Sequence, residues 1–147
     1  MIIRKPFYYI RHGQTDWNVE GRFQGRQDIP LNEAGIAQAH SAKSLMEDLP
    51  ITEIYASTLQ RARLTADIVN EGLNRPITGL DGLQECNFGV LEGQLRTSNG
   101  TGDNFSEDWI SGVTPEGAET YTDFTTRVFT AINSILENDG TPLIVAH

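Results

Sequence analysis

Leu143-Ile144-Val145-Ala146 is an apolar stretch with no polar alternate, the pattern of a strand covered on both faces rather than one with a wet side. Strands of this kind belong to parallel sheets layered between helices, and the rest of the chain supplies the βα units such a sheet requires. Phe7-Tyr8-Tyr9-Ile10 reads as a first strand, followed by a polar, glycine-punctuated loop from Gly13 to Pro30. Asn32 then caps a helix that carries Ile36, Ala39, Ala42, Met46 and Leu49 at helical spacing up to Pro50. Ile51 to Ala56 reads as a second strand ending at Ser57-Thr58, where a helix begins with Leu59, Ala62, Ala66, Val69 and Leu73 on one face. A short strand over Ile77 to Leu80 follows, then a loop tip or lid at 99–104, and a helix over 119–138 that turns Tyr121, Phe124, Val128, Ile132 and Ile135 toward the core. The expected architecture is α/β, a three-layer α/β/α sandwich with a mainly parallel sheet, organised as one domain over residues 1–147.

Composition narrows the functional classes. No apolar run approaches the ~20 residues of a membrane helix, and the first residues lack a signal-peptide core, so a cytoplasmic protein is expected. A formal charge of −9 opposes binding to nucleic acid or to an anionic membrane. That charge is uneven: residues 1–63 carry eight Lys or Arg against seven acids, while residues 64–147 carry three against thirteen. An anionic ligand would therefore meet a locally positive pocket built from the first segments. The single cysteine, Cys86, has no internal partner for a disulfide and reads as a small buried hydrophobe.

Both apolar strands deliver a histidine at their C-terminal ends, where open α/β sheets place their chemistry: Arg11-His12-Gly13 after the first and His147 after the last. An imidazole can attack phosphorus, a guanidinium can grip phosphate oxygens through two hydrogen bonds, and a glycine lets the backbone approach an anion closely. Arg61 and Glu85 add a phosphate-competent residue at two further segments. Taken singly, several of these have ordinary readings. Arg61 alone would be a solvated helix arginine, as Arg63 is expected to be; Glu85 would be a surface carboxylate, and Glu92 either that or the maker of a structural hydrogen bond. His40 lies between alanine and serine on a helix and is expected to be solvated; His12, His40 and His147 lack the short spacing of a zinc site. Ser57 could suggest a serine hydrolase, but the Gly-x-Ser-x-Gly turn is absent. Trp17, Trp109 and Tyr121 are expected to pack in a core or lid.

The segments Arg11-His12-Gly13-Gln14-Thr15-Asp16-Trp17-Asn18, Gly25-Arg26-Gln27-Asp28-Ile29-Pro30-Leu31, Gly35-Ile36-Ala37-Gln38-Ala39, Ser57-Thr58-Leu59-Gln60-Arg61-Ala62-Arg63-Leu64-Thr65-Ala66, Leu83-Gln84-Glu85 with Phe88-Gly89-Val90-Leu91-Glu92-Gly93, and Ile144-Val145-Ala146-His147 resemble, in order, the histidine phosphatase superfamily, also called the phosphoglycerate mutase-like family. The resemblance implies phosphomonoester hydrolysis without a metal or other cofactor, acting on a small phosphorylated metabolite. It implies that His12 becomes phosphohistidine, that Glu85 protonates the leaving oxygen, and that Arg11, Arg61 and His147 bind phosphate. Asn18 is a further implied contact, with Gln24 and Gly25 in the substrate-binding set. Phosphoglycerate mutase, an isomerase built on the same residues, is the alternative; a phosphate-binding module without turnover is another. The 88–93 segment looks more like the phosphatase branches, and substrate choice is expected to lie in the 94–115 loop.

Two positions depart from the family pattern. Gln14 stands where the family often has Glu, which removes a negative charge beside the nucleophile. Family members also normally continue past the second histidine with glycines, a further helix and more sheet, so the resemblance implies a domain whose C-terminal part is missing. A chain ending at His147 would put its α-carboxylate near the phosphate pocket and leave one strand face uncovered. Impaired activity and a homo-oligomer are the expectations for that form.

Overall fold

The structure is a computed structural model that describes residues 3–96 and 105–147. Strands β1 (Tyr8–Arg11), β2 (Glu53–Ser57), β3 (Ile77–Leu80) and β4 (Pro142–Ala146) form one parallel sheet in the order β1-β4-β2-β3. β4 pairs with β1 on one side, Tyr9 opposite Ile144, and with β2 on the other, Tyr55 opposite Ile144. Both its edges and both its faces are covered, and all five of its residues are buried, which accounts for the missing polar alternate.

Side chains alternate across the sheet. Leu143 and Val145 join Ile54 and Ala56 on one face, where Met46 of helix α2 (Glu33–Met46) and Ala62, Ala66, Val69 and Leu73 of α3 (Gln60–Leu73) cover them. Ile144 and Ala146 face the other way, against Ala131 and Ile135 of α5 (Tyr121–Leu136) and Leu83 of the 3-10 turn Asp81–Leu83. Each fully buried aliphatic side chain contributes about 1.5–3 kcal/mol, so the alternation fixes the register of the three layers. Phe23, Cys86, Phe88, Leu91 and Trp109, with Phe105 and Phe124 packed against them, form a separate, largely aromatic cluster. The three-layer α/β arrangement with a parallel sheet is thus the observed one.

Several local expectations are corrected. The Gly13–Pro30 segment is not all loop: Thr15 and Asn18 form a capping box for a one-turn helix, α1 (Asp16–Glu20), which Gly21 ends at φ 73°. A helix this short has no apolar period to reveal it. On α2 the buried positions are Gly35, Ala39 and Met46, whereas Ile36 is exposed. α3 starts at Gln60 rather than at Ser57-Thr58, because those two side chains bond elsewhere, Ser57 with His147 and Thr58 with Asp81. The last long helix starts at Tyr121 behind a Thr120 cap, and Tyr121 itself is exposed. Phe105–Ile110 forms a further helix, α4, within the 94–115 segment expected to be a loop, and the loop tip expected at 99–104 lies outside the described residues.

The phase of α2 has a steric cause. Gly35 lies against the loop leaving β1, where a Cβ on it would come within 2.1 Å of the Gln14 carbonyl oxygen and 2.7 Å of the Gln14 nitrogen. A Cβ on Gly13 would come within 2.4 Å of the Gly35 carbonyl oxygen. These are backbone contacts, so no side-chain rotation relieves them. Gly35→Ala is expected to destabilise the protein by about 1–3 kcal/mol through forced displacement of the loop. Urea unfolding measures this, and an unchanged midpoint would show that the two backbones separate at no cost.

Candidate active site

Three adjacent strands end side by side, and each presents a polar group. β1 leads into His12, whose N–H donates to the Ala146 carbonyl at 3.0 Å and carries the ladder one step beyond the strand. His12 is buried, and its Nδ1 lies 2.7 Å from the Gly13 carbonyl oxygen. A carbonyl only accepts, so Nδ1 holds the proton and Nε2 keeps the lone pair. The Gly13 N–H donates to Thr65 Oγ1 at 3.0 Å, and the Thr65 hydroxyl donates to the Arg61 carbonyl at 2.7 Å. The imidazole is thereby tied through one residue to α3.

Arg61 is 1% exposed, far from the solvated arginine its helix alone would suggest. Its guanidinium donates to the carbonyls of Gln27 and Gly25, both at 2.8 Å, while its Nε is buried without a partner. Gly25 takes φ 54° here, and a Cβ on it would lie 2.1 Å from Glu92 Oε1. Glu92 accepts from the Arg26 N–H at 2.8 Å and from Gln27 Nε2 at 2.8 Å, so it is a structural carboxylate that pins this turn. Gln24 is buried and accepts the Thr15 hydroxyl at 2.7 Å. Asn18 Oδ1 accepts from the Thr15 N–H at 3.0 Å, which leaves its amide nitrogen as the donor it can offer a ligand.

His147 follows β4, its ring centroid 5.1 Å from that of His12. Ser57, at the end of β2, places its Oγ 2.8 Å from His147 Nε2, and the same oxygen accepts from the Leu59 N–H. The Ser57 hydroxyl can donate to Nε2 or accept from it, and His147 Nδ1 is a buried nitrogen without a partner. Ser57 is fully buried, so it orients a histidine and is not an accessible nucleophile. Glu85 Oε1 accepts from the Cys86 N–H at 2.8 Å.

Arg11, His12, Asn18, Gln24 and Glu85 line one cavity of about 400 Å³, whose wall also carries Trp17, Arg22 and Arg96. Three guanidiniums against one carboxylate make it the positive pocket anticipated from the charge distribution. Glu85 also borders an adjoining apolar cavity of about 310 Å³, which His147 lines with Tyr9, Phe124 and Ile132. Gly25 and Arg61 support the first cavity through the hydrogen bonds above.

The histidines are held neutral. Burial foremost, then the Arg61 and Arg11 guanidiniums, lowers His12 to about 4, against the Gly13 hydrogen bond, which favours the protonated ring. Burial again leads for His147, lowered to about 2, with Arg61, His12 and Arg11 adding to it. In both rings burial is the larger cause and neighbouring positive charge the smaller. His147 consequently brings a polar N–H and not a full charge. Arg61 is itself opposed by burial, with the charges of Glu85 and Asp28 offsetting part of that cost.

Other residues have simpler uses. Arg63 pairs with Asp67 on the outer face of α3, and His40 is exposed. Cys86 is buried with its thiol pushed up to about 12, mainly by burial, so it is inert. Trp109 packs into the aromatic cluster, whereas Trp17 lines the cavity. The sequence gives Thr65, one helical turn after Arg61 in a family-like segment, no role of its own, and it suggests Ser57 only as a nucleophile.

The two depressed histidines make stability depend on pH. Their folded values lie below the ordinary 6.5, so the unfolded chain binds more protons as pH falls, and stability present above pH 6.5 is lost on acidification. At pH 5 the loss is about 2 kcal/mol per histidine. Urea unfolding at pH 7 and pH 5 should show it, with His12→Asn losing about half as much as the parent. An equal loss in both proteins would contradict the burial of a neutral His12.

The chain matches the histidine phosphatase superfamily (branch 1) over residues 7–147. It is 43% identical over 84 residues to the uncharacterized phosphatase PhoE of Bacillus subtilis (strain 168), a match covering 57% of this chain and 44% of PhoE. It is 35% identical to the probable phosphoglycerate mutase GpmB of Escherichia coli O1:K1 / APEC, covering 95% of this chain and 68% of GpmB. The solved structure of Bacillus stearothermophilus YhfR superposes with a TM-score of 0.83 at 35% identity, covering 96% of this chain and 73% of that one. The strand ends, the paired imidazoles and the buried arginine described above are therefore those of a chain that belongs to the histidine phosphatase superfamily, branch 1.

Proposed function

We propose that the protein hydrolyses phosphomonoesters through a phosphohistidine on His12. The observation that carries this reading is the tautomer of His12: a buried neutral ring with Nδ1–H committed to the Gly13 carbonyl and the Nε2 lone pair left to attack. In the first step Nε2 forms a bond to phosphorus, the ester P–O bond breaks, and the departing oxygen takes a proton from Glu85. In the second, the Glu85 carboxylate takes a proton from water, the water oxygen bonds to phosphorus, and the P–N electron pair returns to Nε2. The phosphoryl oxygens bear the charge in flight, so catalysis rests on preorganised donors. Arg11, the unpartnered Nε of Arg61, the Nδ1 of His147 and the Asn18 amide fit that need. A bound dianion would also favour protonation of His147, turning its dipole into a charge when charge is useful. No step calls for a metal ion or other cofactor.

The likeness to GpmB favours a second reading, phosphoglycerate mutase, which would return the phosphoryl group to a second hydroxyl of the same molecule. Measuring released inorganic phosphate against the isomeric monoester separates the two.

Incubation with a 32P-labelled phosphomonoester and alkaline quench should trap an acid-labile phosphoprotein that His12→Ala abolishes. Turnover should fall by several orders of magnitude in that variant, because the covalent route is gone. Label retained in His12→Ala would overturn the assignment of the nucleophile, and absence of label with the parent protein would favour a phosphate-binding module.

Glu85→Gln should lower kcat/KM for propyl phosphate by about 100-fold or more and for p-nitrophenyl phosphate far less, since only the alkoxide needs a proton as it leaves. Equal losses would remove Glu85 from the acid role.

A further inference from the structure

Glu85 lies outside helix and strand: the 3-10 turn ends at Leu83, and the next one starts at Gly89. No helical or sheet ladder fixes its Cα. The hydrogen bonds that hold its backbone come instead from two guanidiniums. Arg127, on α5, donates through one nitrogen to the carbonyls of Gly82 and Gln84, each at 2.9 Å, and through another reaches the Glu85 carbonyl at 3.4 Å. Arg26 Nε donates to the same Glu85 carbonyl at 2.9 Å, and its NH1 donates to the Gln84 side-chain oxygen.

One carboxylate joins the two arginines. Glu119 binds Arg127 in a fork, Nε to Oε1 at 2.7 Å and NH2 to Oε2 at 2.8 Å, and its Oε2 lies 3.8 Å from Arg26 NH2. Oε2 also accepts from the Asn87 N–H at 3.3 Å, and the Glu119 N–H donates to the Asn87 carbonyl at 2.9 Å. The segment 82–87 is thus gripped on both sides of Glu85. Only a planar fork of donors serves the carbonyls and the carboxylate together; a lysine ammonium is a point donor and would hold fewer of them.

We propose that Arg127, braced by Glu119 and assisted by Arg26, is a positioning residue that sets where Glu85 delivers its proton. The inference rests on the phosphohistidine reading above and assigns this cluster a role in one half of the chemistry only. His12 and Arg11 are anchored through β1 and, by way of Gly13 and Thr65, α3, without contact to Arg127 or Glu119, whereas Arg61 shares the Gly25–Gln27 turn with Arg26, which the test therefore leaves unchanged. A displacement of Glu85 should therefore harm protonation of the leaving oxygen and spare binding and nucleophilic attack. Displacements near 1 Å at a catalytic group cost up to about 100-fold.

The test compares kcat/KM for propyl phosphate and p-nitrophenyl phosphate in the parent, Arg127→Lys, Glu119→Gln, Glu85→Gln and the double variant Arg127→Lys/Glu85→Gln. Arg127→Lys should lose about 10- to 100-fold on propyl phosphate and less than about 3-fold on p-nitrophenyl phosphate. Glu119→Gln, which keeps the shape and removes the brace's charge, should shift the same ratio in the same direction, and it carries the comparison if the lysine variant fails to fold. In the double variant Arg127→Lys should add nothing to the loss caused by Glu85→Gln on propyl phosphate. Equal losses on both substrates, or additive losses in the double variant, would make the cluster merely structural and overturn the inference. Failure of Glu85→Gln itself to discriminate between the substrates would instead overturn the general-acid reading, and the inference with it.

Discussion

The Gly13 peptide is the joint on which the site turns. Its carbonyl takes the Nδ1 proton of His12, its N–H is bound by Thr65, and its α-carbon has no room for a side chain because the backbone of Gly35 lies against it. One residue thereby fixes the tautomer of the nucleophile, ties β1 to α3, and sets how closely α2 may approach. A glycine before an anion site is commonly credited with making room for the anion. Here the space it leaves is filled by protein, and its contribution to chemistry passes through the imidazole it orients.

Burial does the electrostatic work that formal charge alone would not. Two neutral histidines and a fully buried arginine are costly to assemble, and each cost corresponds to a group able to respond to an anion. The arginine keeps two of its donors on the carbonyls of Gly25 and Gln27, so its position does not depend on ligand, while its Nε has no partner. The sheet order completes the arrangement. With β4 between β1 and β2, the residues at the C-terminal ends of the three strands, His12, His147 and Ser57, become neighbours although they are far apart in the chain.

Much of this was legible in the amino-acid sequence, and what was not has a physical reason. β4 announced itself because a strand buried on every side tolerates no polar alternate, and the α3 stripe because Ala62, Ala66 and Val69 repeat at the helical period. Arg61 was legible only by resemblance, since nothing in its helix distinguishes a buried arginine from a solvated one such as Arg63. α1 escaped because a single capped turn has no period. Ile36 was misplaced because the phase of α2 is set by the Gly13–Gly35 contact, a fact of two segments and not of one. The Arg26–Glu119–Arg127 cluster was invisible for the same reason: Arg26 is far in the chain from Glu119 and Arg127, and the three meet only once α5 packs beside the Glu85 turn.

The central claim is that His12 is a neutral imidazole with its proton on Nδ1 and its nucleophilic lone pair on Nε2. Nitrogen-15 NMR of the histidine side chains reports this directly, both in the resting protein and after reaction with a phosphomonoester. The account predicts a protonated Nδ1 and an unprotonated Nε2 for His12 at pH 7, unchanged down to about pH 5, and a phosphorus–nitrogen coupling at Nε2 in the trapped phosphoprotein. An imidazolium at pH 7, or phosphorylation at Nδ1, would contradict it.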